Sequence, residues 1–379
     1  YWSKLEDMPA AIDAYEEVLR LDAANESAVA ALEKIIVEEE HTFRVAQILK
    51  PIYKKLGEWR KLVAIYEAEL QFIDDKVRRV EILTSIATLH DEQGSDLDMA
   101  FDALSRAWLE DVSDPDVMEA LEGMAGRLGD WPKLVEVLEK GVGNTFDAEL
   151  QASIWGKVAK VYETAIRDME KAVAAYNKLL EVRDDSENAI LALERLLPDL
   201  NRYEELVPIL RRKAELTDDP LESVEVYYKL AEIQETVLER TEDAIETWRQ
   251  VLTINDEDEL ALTALERLLA QKEAWLELTE IYNRKIDLVT EPQDKREYFF
   301  KLAQVQEEKM EEAFEAISAY RRSLALFPED GEALMALNRL FTKERLWADL
   351  LEVIDKQILL EGDPAARNNL NFRAGSVMQ

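Results

Sequence analysis

The sequence predicts an all-α fold, a solenoid of stacked helix hairpins, and three observations support this prediction. Aromatic residues recur at one constant spacing, at Trp59, Trp131, Tyr203, Trp275 and Trp347. Further columns of leucine and alanine keep the same step. Only 11 glycines and 10 prolines occur among 379 residues, which leaves little chain for long loops. A fixed period of this kind is typical of repeat architectures, in which each unit buries its apolar face against its neighbours.

One helix of each unit is marked by an alanine, followed by large side chains at the fourth and eighth positions. These three columns are Ala100, Ala172, Ala244 and Ala316, then Leu104, Tyr176, Trp248 and Tyr320, then Trp108, Leu180, Leu252 and Leu324. Positions i, i+4 and i+8 share one side of a helix, so they predict a buried stripe. Two further columns are Ala87, Ala159, Ala231 and Ala303, and Leu121, Leu193, Leu265 and Leu337.

Proline supports the same period, because Pro220, Pro292 and Pro364 are separated by the same step and each follows an acidic residue. Proline is favoured in the first turn of a helix, where its missing N–H costs nothing. Each 72-residue unit is therefore predicted to hold four helices, which form two hairpins. We predict a single solenoid over residues 1–379, with units at about 7–95, 96–167, 168–239, 240–311 and 312–379.

The first unit departs from the period, since Ala11 and Ala100 are farther apart than one repeat length. The added stretch predicts one extra helix near residues 41–56, with a change of pitch or a kink at Pro51. A second bend is predicted at Pro208. Both ends of the sequence are expected to fall within a hairpin, so the chain is expected to be part of a longer protein.

The composition excludes several functions. The net charge is −35, from 81 acidic and 46 basic residues, which disfavours binding to nucleic acid or to anionic membranes. No apolar stretch approaches the roughly 20 residues that span a bilayer, so no membrane insertion is expected. Cysteine is absent, which rules out disulfides and thiolate chemistry. A cytoplasmic location is expected, with a periplasmic one left open.

Catalysis is not expected. The two histidines, His41 and His90, lie far apart on different predicted helices and are interpreted as structural residues. The sequence contains no zinc-protease motif, no phosphate-binding glycine loop and no nucleophile elbow. The acidic runs lack the alternating ligands and the glycine of a calcium loop. No catalytic residue, metal site or cofactor is therefore predicted.

The alanine column, with an aromatic residue four positions later, resembles the second helix of the tetratricopeptide repeat (TPR) family. Pro328, twelve residues after Ala316, stands where that family has its closing proline, and Ala231 and Ala303 resemble the small-residue site of the first helix. Most units lack the closing proline, and their turn is one residue longer than is usual. The paired units, with phrases such as Asp130-Trp131, also resemble very long TPR proteins of gliding and predatory bacteria, including a gliding-motility scaffold.

The resemblance implies a right-handed superhelix whose first helices line a concave groove. Residues carried over to that groove are Asp91, Glu163, Glu235 and Glu307, then Glu122, Glu194 and Glu266, and the aromatic Tyr228 and Phe300. The interpretation is a scaffold or adaptor that binds a basic or amphipathic segment of another protein. A carboxylate clamp for acidic tails is disfavoured, because Lys160 is an isolated basic residue at the matching positions. Two alternatives stay open: a spacer arm without a groove ligand, and a substrate-recruiting arm of a larger enzyme.

Overall fold

The computed structural model describes residues 8–36 and 39–378, and over these residues the chain is all-α, with 21 α-helices, short π-helical extensions and no β-strand. The predicted fold, an array of TPR-like helix hairpins, is confirmed. The helices are α1 (Met8–Leu21), α2 (Glu26–Ile35), α3 (Glu39–Leu56), α4 (Trp59–Leu70), α5 (Lys76–Leu89), α6 (Leu97–Glu110), α7 (Pro115–Leu128), α8 (Trp131–Val142), α9 (Ala148–Val161), α10 (Met169–Val182), α11 (Glu187–Asp199), α12 (Tyr203–Leu216), α13 (Pro220–Thr236), α14 (Thr241–Ile254), α15 (Glu259–Gln271), α16 (Trp275–Leu288), α17 (Pro292–Glu308), α18 (Ala313–Leu326), α19 (Gly331–Lys343), α20 (Trp347–Leu360) and α21 (Pro364–Val377).

The chain divides into two compact units, Tyr1–Leu200 and Asn201–Gln379, and within each unit consecutive helices pack against one another. In the second unit one continuous core of buried side chains extends from Val224 to Ala374. A single solenoid over all 379 residues stays a prediction.

The helices repeat with the predicted step. Every fourth helix from α6 onward begins one repeat length after the last, at Leu97, Met169, Thr241 and Ala313. Five helices, α1 to α5, precede α6, and α3 overlaps the predicted extra helix. Helices α3 and α12 both continue through their internal prolines, Pro51 and Pro208. The three predicted helix-opening prolines are the first residues of α13, α17 and α21.

The predicted core columns are buried. The alanines that begin the stripe are fully buried, and their first-helix counterparts at 87, 159, 231 and 303 are at most 3% exposed. Alanines on both helices let the two backbones of a hairpin come close. The leucine column at 121, 193, 265 and 337 is at most 1% exposed. Of the large stripe residues, only Trp248 and Leu324 are half-buried rather than buried.

The turns between paired helices share one backbone conformation. A residue in the turn after the first helix is left-handed, with φ between 50° and 71°, and it recurs once per repeat in two sets. The first set is Ser95, Arg167, Glu239 and Glu311, and the second is Gly57, Gly129, Asn201, Glu273 and Arg345. In the first set the next residue donates a backbone hydrogen bond of 2.7–3.0 Å to the carbonyl six residues earlier, one residue farther than in a Schellman cap.

Glycine at these turns is expected to stabilise the chain, because a left-handed residue other than glycine is strained. Glu273→Gly should raise the free energy of unfolding by about 0.5–1 kcal/mol, the relief of strain less the entropy that glycine loses on folding. Thermal unfolding followed by circular dichroism measures the change. The matched control is Gly129→Ala, since an added Cβ there meets no atom within 4 Å. It should lower the melting temperature, and a rise would contradict the strain argument.

Candidate partner-binding face

The predicted groove residues lie on the first helix of each hairpin or on the turn that extends it. Asp91 and Glu163 lie on the π-helical turns that follow α5 and α9. Glu122 lies on α7 and Glu194 on α11. In the second unit, Glu235, Glu266 and Glu307 lie on α13, α15 and α17. The first helices are α5, α7, α9 and α11 in the first compact unit, and α13, α15, α17 and α19 in the second. In each compact unit, we call the side of these helices on which the carboxylates lie the first-helix face.

In the first unit these carboxylates link successive first helices by ion pairs. Asp91 accepts two hydrogen bonds from Arg127 on α7, at 2.5 and 2.6 Å. Glu122 on α7 pairs with Lys157 on α9 at 2.5 Å. Glu163 pairs with Arg195 on α11 at 2.5 Å. Three steps from α5 to α11 are thus each bridged by one ion pair.

The second unit repeats the arrangement. Glu235 on α13 pairs with Arg267 on α15 at 2.6 Å, and Glu307 on α17 pairs with Arg339 on α19 at 2.7 Å. Between them Glu266 on α15 lies 3.4 Å from Lys301 on α17. Glu266 also binds the buried Lys285 of α16 at 2.5 Å. These three ion pairs between successive first helices, together with the three of the first compact unit, are called the charge ladder.

The charge ladder balances most of the predicted negative charge. Six of the seven predicted carboxylates have a lysine or arginine partner. Glu194, the seventh, also takes part in an interaction within the chain. The hydrogen bonds from Arg127 lower the pKa of Asp91 from its usual value. The surplus of negative charge along this face is therefore smaller than the carboxylate columns alone indicate.

The four arginine pairs have one geometry. Their carboxylates are only 12–25% exposed, whereas the arginine side chains are 53–63% exposed. The carboxylates therefore lie near the helix surface, and the guanidinium groups project outward over them. A molecule that approaches the first-helix face meets arginine before it meets glutamate.

The two predicted aromatic residues are half-buried against the following helix. Tyr228 packs at a tilt against Trp248 with ring centroids 5.5 Å apart, and its hydroxyl donates to Asp258 at 2.5 Å. Burial and then this hydrogen bond raise the pKa of Tyr228 to about 12. Phe300 packs edge-on against Tyr320 at 5.3 Å. Both rings pack against the second helix of their own hairpin, so only part of each ring surface is accessible to a partner.

The two histidines lie on different helical segments of the chain. His90 is buried edge-on against Trp59, with ring centroids 5.6 Å apart, and His41 is half-buried on α3. Among residues 8–36 and 39–378, no three carboxylates or histidines are grouped so that they could hold a metal ion. None of the helices in this described part combines the length and apolar character needed to cross a membrane.

The basic half of the charge ladder was missed at the sequence level, although its signal is visible there. Arg195, Arg267 and Arg339 are each one repeat apart, as are Lys157, Lys229 and Lys301. Arg127 departs from the arginine column, whose position in that unit is Gly123. Each basic column has the same period as the carboxylates, so a pair that forms in one repeat can recur in the next.

No protein-family model matches the sequence, and no curated protein is significantly similar to it. Among solved structures, the chain is similar to a tetratricopeptide repeat protein from Parabacteroides merdae, with 15% identity over 70% of this chain and 99% of that one, at a TM-score of 0.28. It is similar to yeast Tom70, with 14% identity, 97% and 95% coverage and a TM-score of 0.26. It is also similar to a chain in the structure of Naa15/Naa10 bound to HypK-THB, with 14% identity and a TM-score of 0.28. The similarity covers 95% of this chain and 61% of that one. Scores this low carry no argument about function, and the fold is established by the helix hairpins of the chain itself.

Proposed function

We propose that this chain is a protein-interaction scaffold, and that a basic or amphipathic segment of another protein binds along the first-helix face. The observation that carries this proposal is the charge ladder, in which carboxylates of successive first helices pair with partly exposed arginines and lysines. An exposed ion pair contributes only about 0–1 kcal/mol. A partner's lysine or arginine can therefore replace the chain's own arginine on a carboxylate at little cost.

Two further properties support a charged partner. The net charge of −35 attracts cationic segments over a distance and speeds their association. Once an arginine of the charge ladder is displaced, its guanidinium is free to bind an acidic side chain of the same segment. A segment that carries both signs of charge therefore fits this face better than a purely basic one.

A structural spacer is the second candidate, and one observation favours it. Each ion pair of the charge ladder joins two successive first helices, so the ladder braces neighbouring hairpins without any partner. In that case the pairs would contribute to stability alone. Exchanging the two members of each pair separates these functions, because it preserves the brace and inverts the face.

The test uses a phage-displayed library of random dodecapeptides, selected on the full chain at low salt. The affinity of the selected peptides for the native chain is then compared with their affinity for a charge-exchanged variant. In this variant the two residues of each pair are interchanged, for Glu163/Arg195, Glu235/Arg267 and Glu307/Arg339. We expect the variant to bind about tenfold more weakly. Its melting temperature should fall only slightly, since the ion pairs can re-form and one hydrogen bond, from the Tyr176 hydroxyl to Glu163, is lost.

The control for surface charge in general is an exchange of Arg249 and Glu277, an exposed pair of α14 and α16. This exchange should leave peptide binding unchanged. Selected peptides that bind the native and the charge-exchanged chains equally well would remove the first-helix face as the binding surface and leave the spacer as the better interpretation.

A further inference from the structure

Two units of the repeat fill the space between a first helix and its partner with a pair of aromatic rings. In one, Tyr228 of α13 lies against Trp248 of α14, and in the next Phe300 of α17 lies against Tyr320 of α18. The first-helix rings are one repeat apart, and so are their partners. This position on the first-helix face therefore holds a ring in two repeats, and Thr84 and Gly156 occupy it in the two before them.

In the preceding 72-residue repeat, the same position on the first helix is a glycine and has no side chain. Gly156 of α9 lies one repeat before Tyr228, and Tyr176 of α10 lies one repeat before Trp248. An added Cβ at Gly156 would meet only Leu179 within 4 Å, at 3.8 Å. Gly156, Tyr176 and Leu179 line one open groove of about 1180 Å³ within the first unit. The ring of the second helix, Tyr176, is therefore present in this repeat, and the ring of the first helix is absent.

The hydrogen-bond acceptor for the ring has changed at the same place. Tyr228 donates its hydroxyl to Asp258, which also caps the start of α15. The equivalent of Asp258 in the earlier unit is Ser186, which precedes α11 and lines the groove over Gly156. The Ser186 side chain makes no capping hydrogen bond. Its hydroxyl is therefore available to a phenol that enters the groove.

Four cationic side chains line this groove, and among the residues that the structure describes only three of them are paired with a carboxylate. Lys157, Arg183 and Arg195 line it and are each ion-paired, with Glu122, Glu149 and Glu163 respectively. Lys160 lines the same groove, and its ammonium forms no ion pair with any residue in the described part of the chain. An occupant that matches this charge carries a carboxylate beside its ring.

We infer that the groove over Gly156 is a socket for one aromatic side chain of a partner protein, with an acidic residue of the same segment bound to Lys160. The ring would lie beside Tyr176 and Leu179, as Tyr228 lies beside Trp248, and a tyrosine hydroxyl would reach Ser186. Aromatic side chains seated in such pockets are common anchors of protein interfaces. The inference rests on the proposed function, since it specifies what the first-helix face of this unit binds.

The probe is the tripeptide Ac-Asp-Tyr-Asp-NH2, titrated into the full chain with ¹³C-labelled leucine methyl groups. We expect a saturable shift of the Leu179 methyl resonances. Ac-Asp-Ala-Asp-NH2 should bind about tenfold more weakly, because it lacks the ring. An alanine tripeptide that binds as well as the tyrosine tripeptide would refute the socket.

Gly156→Tyr should abolish the shift, because it supplies the ring that the neighbouring units already have. Gly156→Ala is its control and should bind normally, since the added methyl group fits. Lys160→Glu, a change at an exposed position, should weaken binding about tenfold and serves as a second variant if the tyrosine disturbs folding. Unaltered binding in both Gly156→Tyr and Lys160→Glu would overturn the inference.

The two proposals can fail separately. An alanine tripeptide that binds as well as the tyrosine tripeptide, together with library peptides that lose affinity for the charge-exchanged chain, would refute the socket and keep the first-helix face. Library peptides that ignore the charge exchange would remove the proposed face, whatever the tripeptides show.

Discussion

Gly141→Ala is expected to lower the free energy of unfolding by about 2 kcal/mol. The added Cβ would overlap the ring of Trp108, which is fully buried on α6. Overpacking of this kind typically costs about 1–3 kcal/mol, and a direct overlap with a buried ring belongs at the upper end. The gain from removing a helical glycine, about 0.5–1 kcal/mol, offsets only part of it.

Urea unfolding of the full chain measures this change, with hydrogen exchange over residues 97–142 to locate it in α6 to α8. The matched control is Gly123→Ala on α7, where an added Cβ meets no atom within 4 Å. This second change should raise stability by about 0.5–1 kcal/mol, because only the helix propensity changes. Changes of the same sign in both variants would show that Trp108 does not fill the space beside Gly141.

Leu265→Ala is expected to destabilise the second unit by about 2–5 kcal/mol. Leu265 belongs to the leucine column, is 1% exposed, and lies within the continuous core of that unit. Its truncation removes apolar contacts and leaves a cavity that neighbouring helices can close only in part. Because each hairpin of an array is stabilised mainly by its neighbours, the loss should spread beyond α15 itself.

Leu260→Ala is the control, because Leu260 lies on the same helix and is 62% exposed. It should change stability by less than about 0.5 kcal/mol. Hydrogen exchange over residues 241–308 should be faster in Leu265→Ala than in Leu260→Ala, with the effect extending into α14, α16 and α17. Equal exchange in the two variants would mean that the leucine column does not mark the core.

Several features were predictable because they depend on spacing alone. A leucine such as Leu265 recurs with the repeat, so its burial follows from the period of the helix and of the array. Proline at the first turn of α13 was predictable for the same local reason. Pro51 and Pro208 do not end their helices, since α3 and α12 continue through them, and the predicted bends stay predictions. Neighbouring packing can hold a helix together across one missing hydrogen bond.

The candidate site was predictable only in part. The carboxylate columns were identified, but their partners were not, because each cation of the charge ladder lies 32 to 36 residues away along the chain. Such pairs form only when two first helices lie side by side. The equivalents of Trp108 in later units are leucines, and those of Gly141 are Lys213, Lys285 and Gln357. This exchange of volume between two helices is visible in the sequence only after the contact is known.

The sequence by itself determined the all-α class, the repeat period, the buried columns and the helices that carry the predicted face, because helical periodicity and repeat length are properties of residue order. Tertiary structure alone decided that arginines cover the carboxylates, that Gly141 makes room for Trp108, and that Gly156 and Tyr176 line one open groove. These outcomes depend on distances between helices, and such distances are set by how side chains of different repeats pack together.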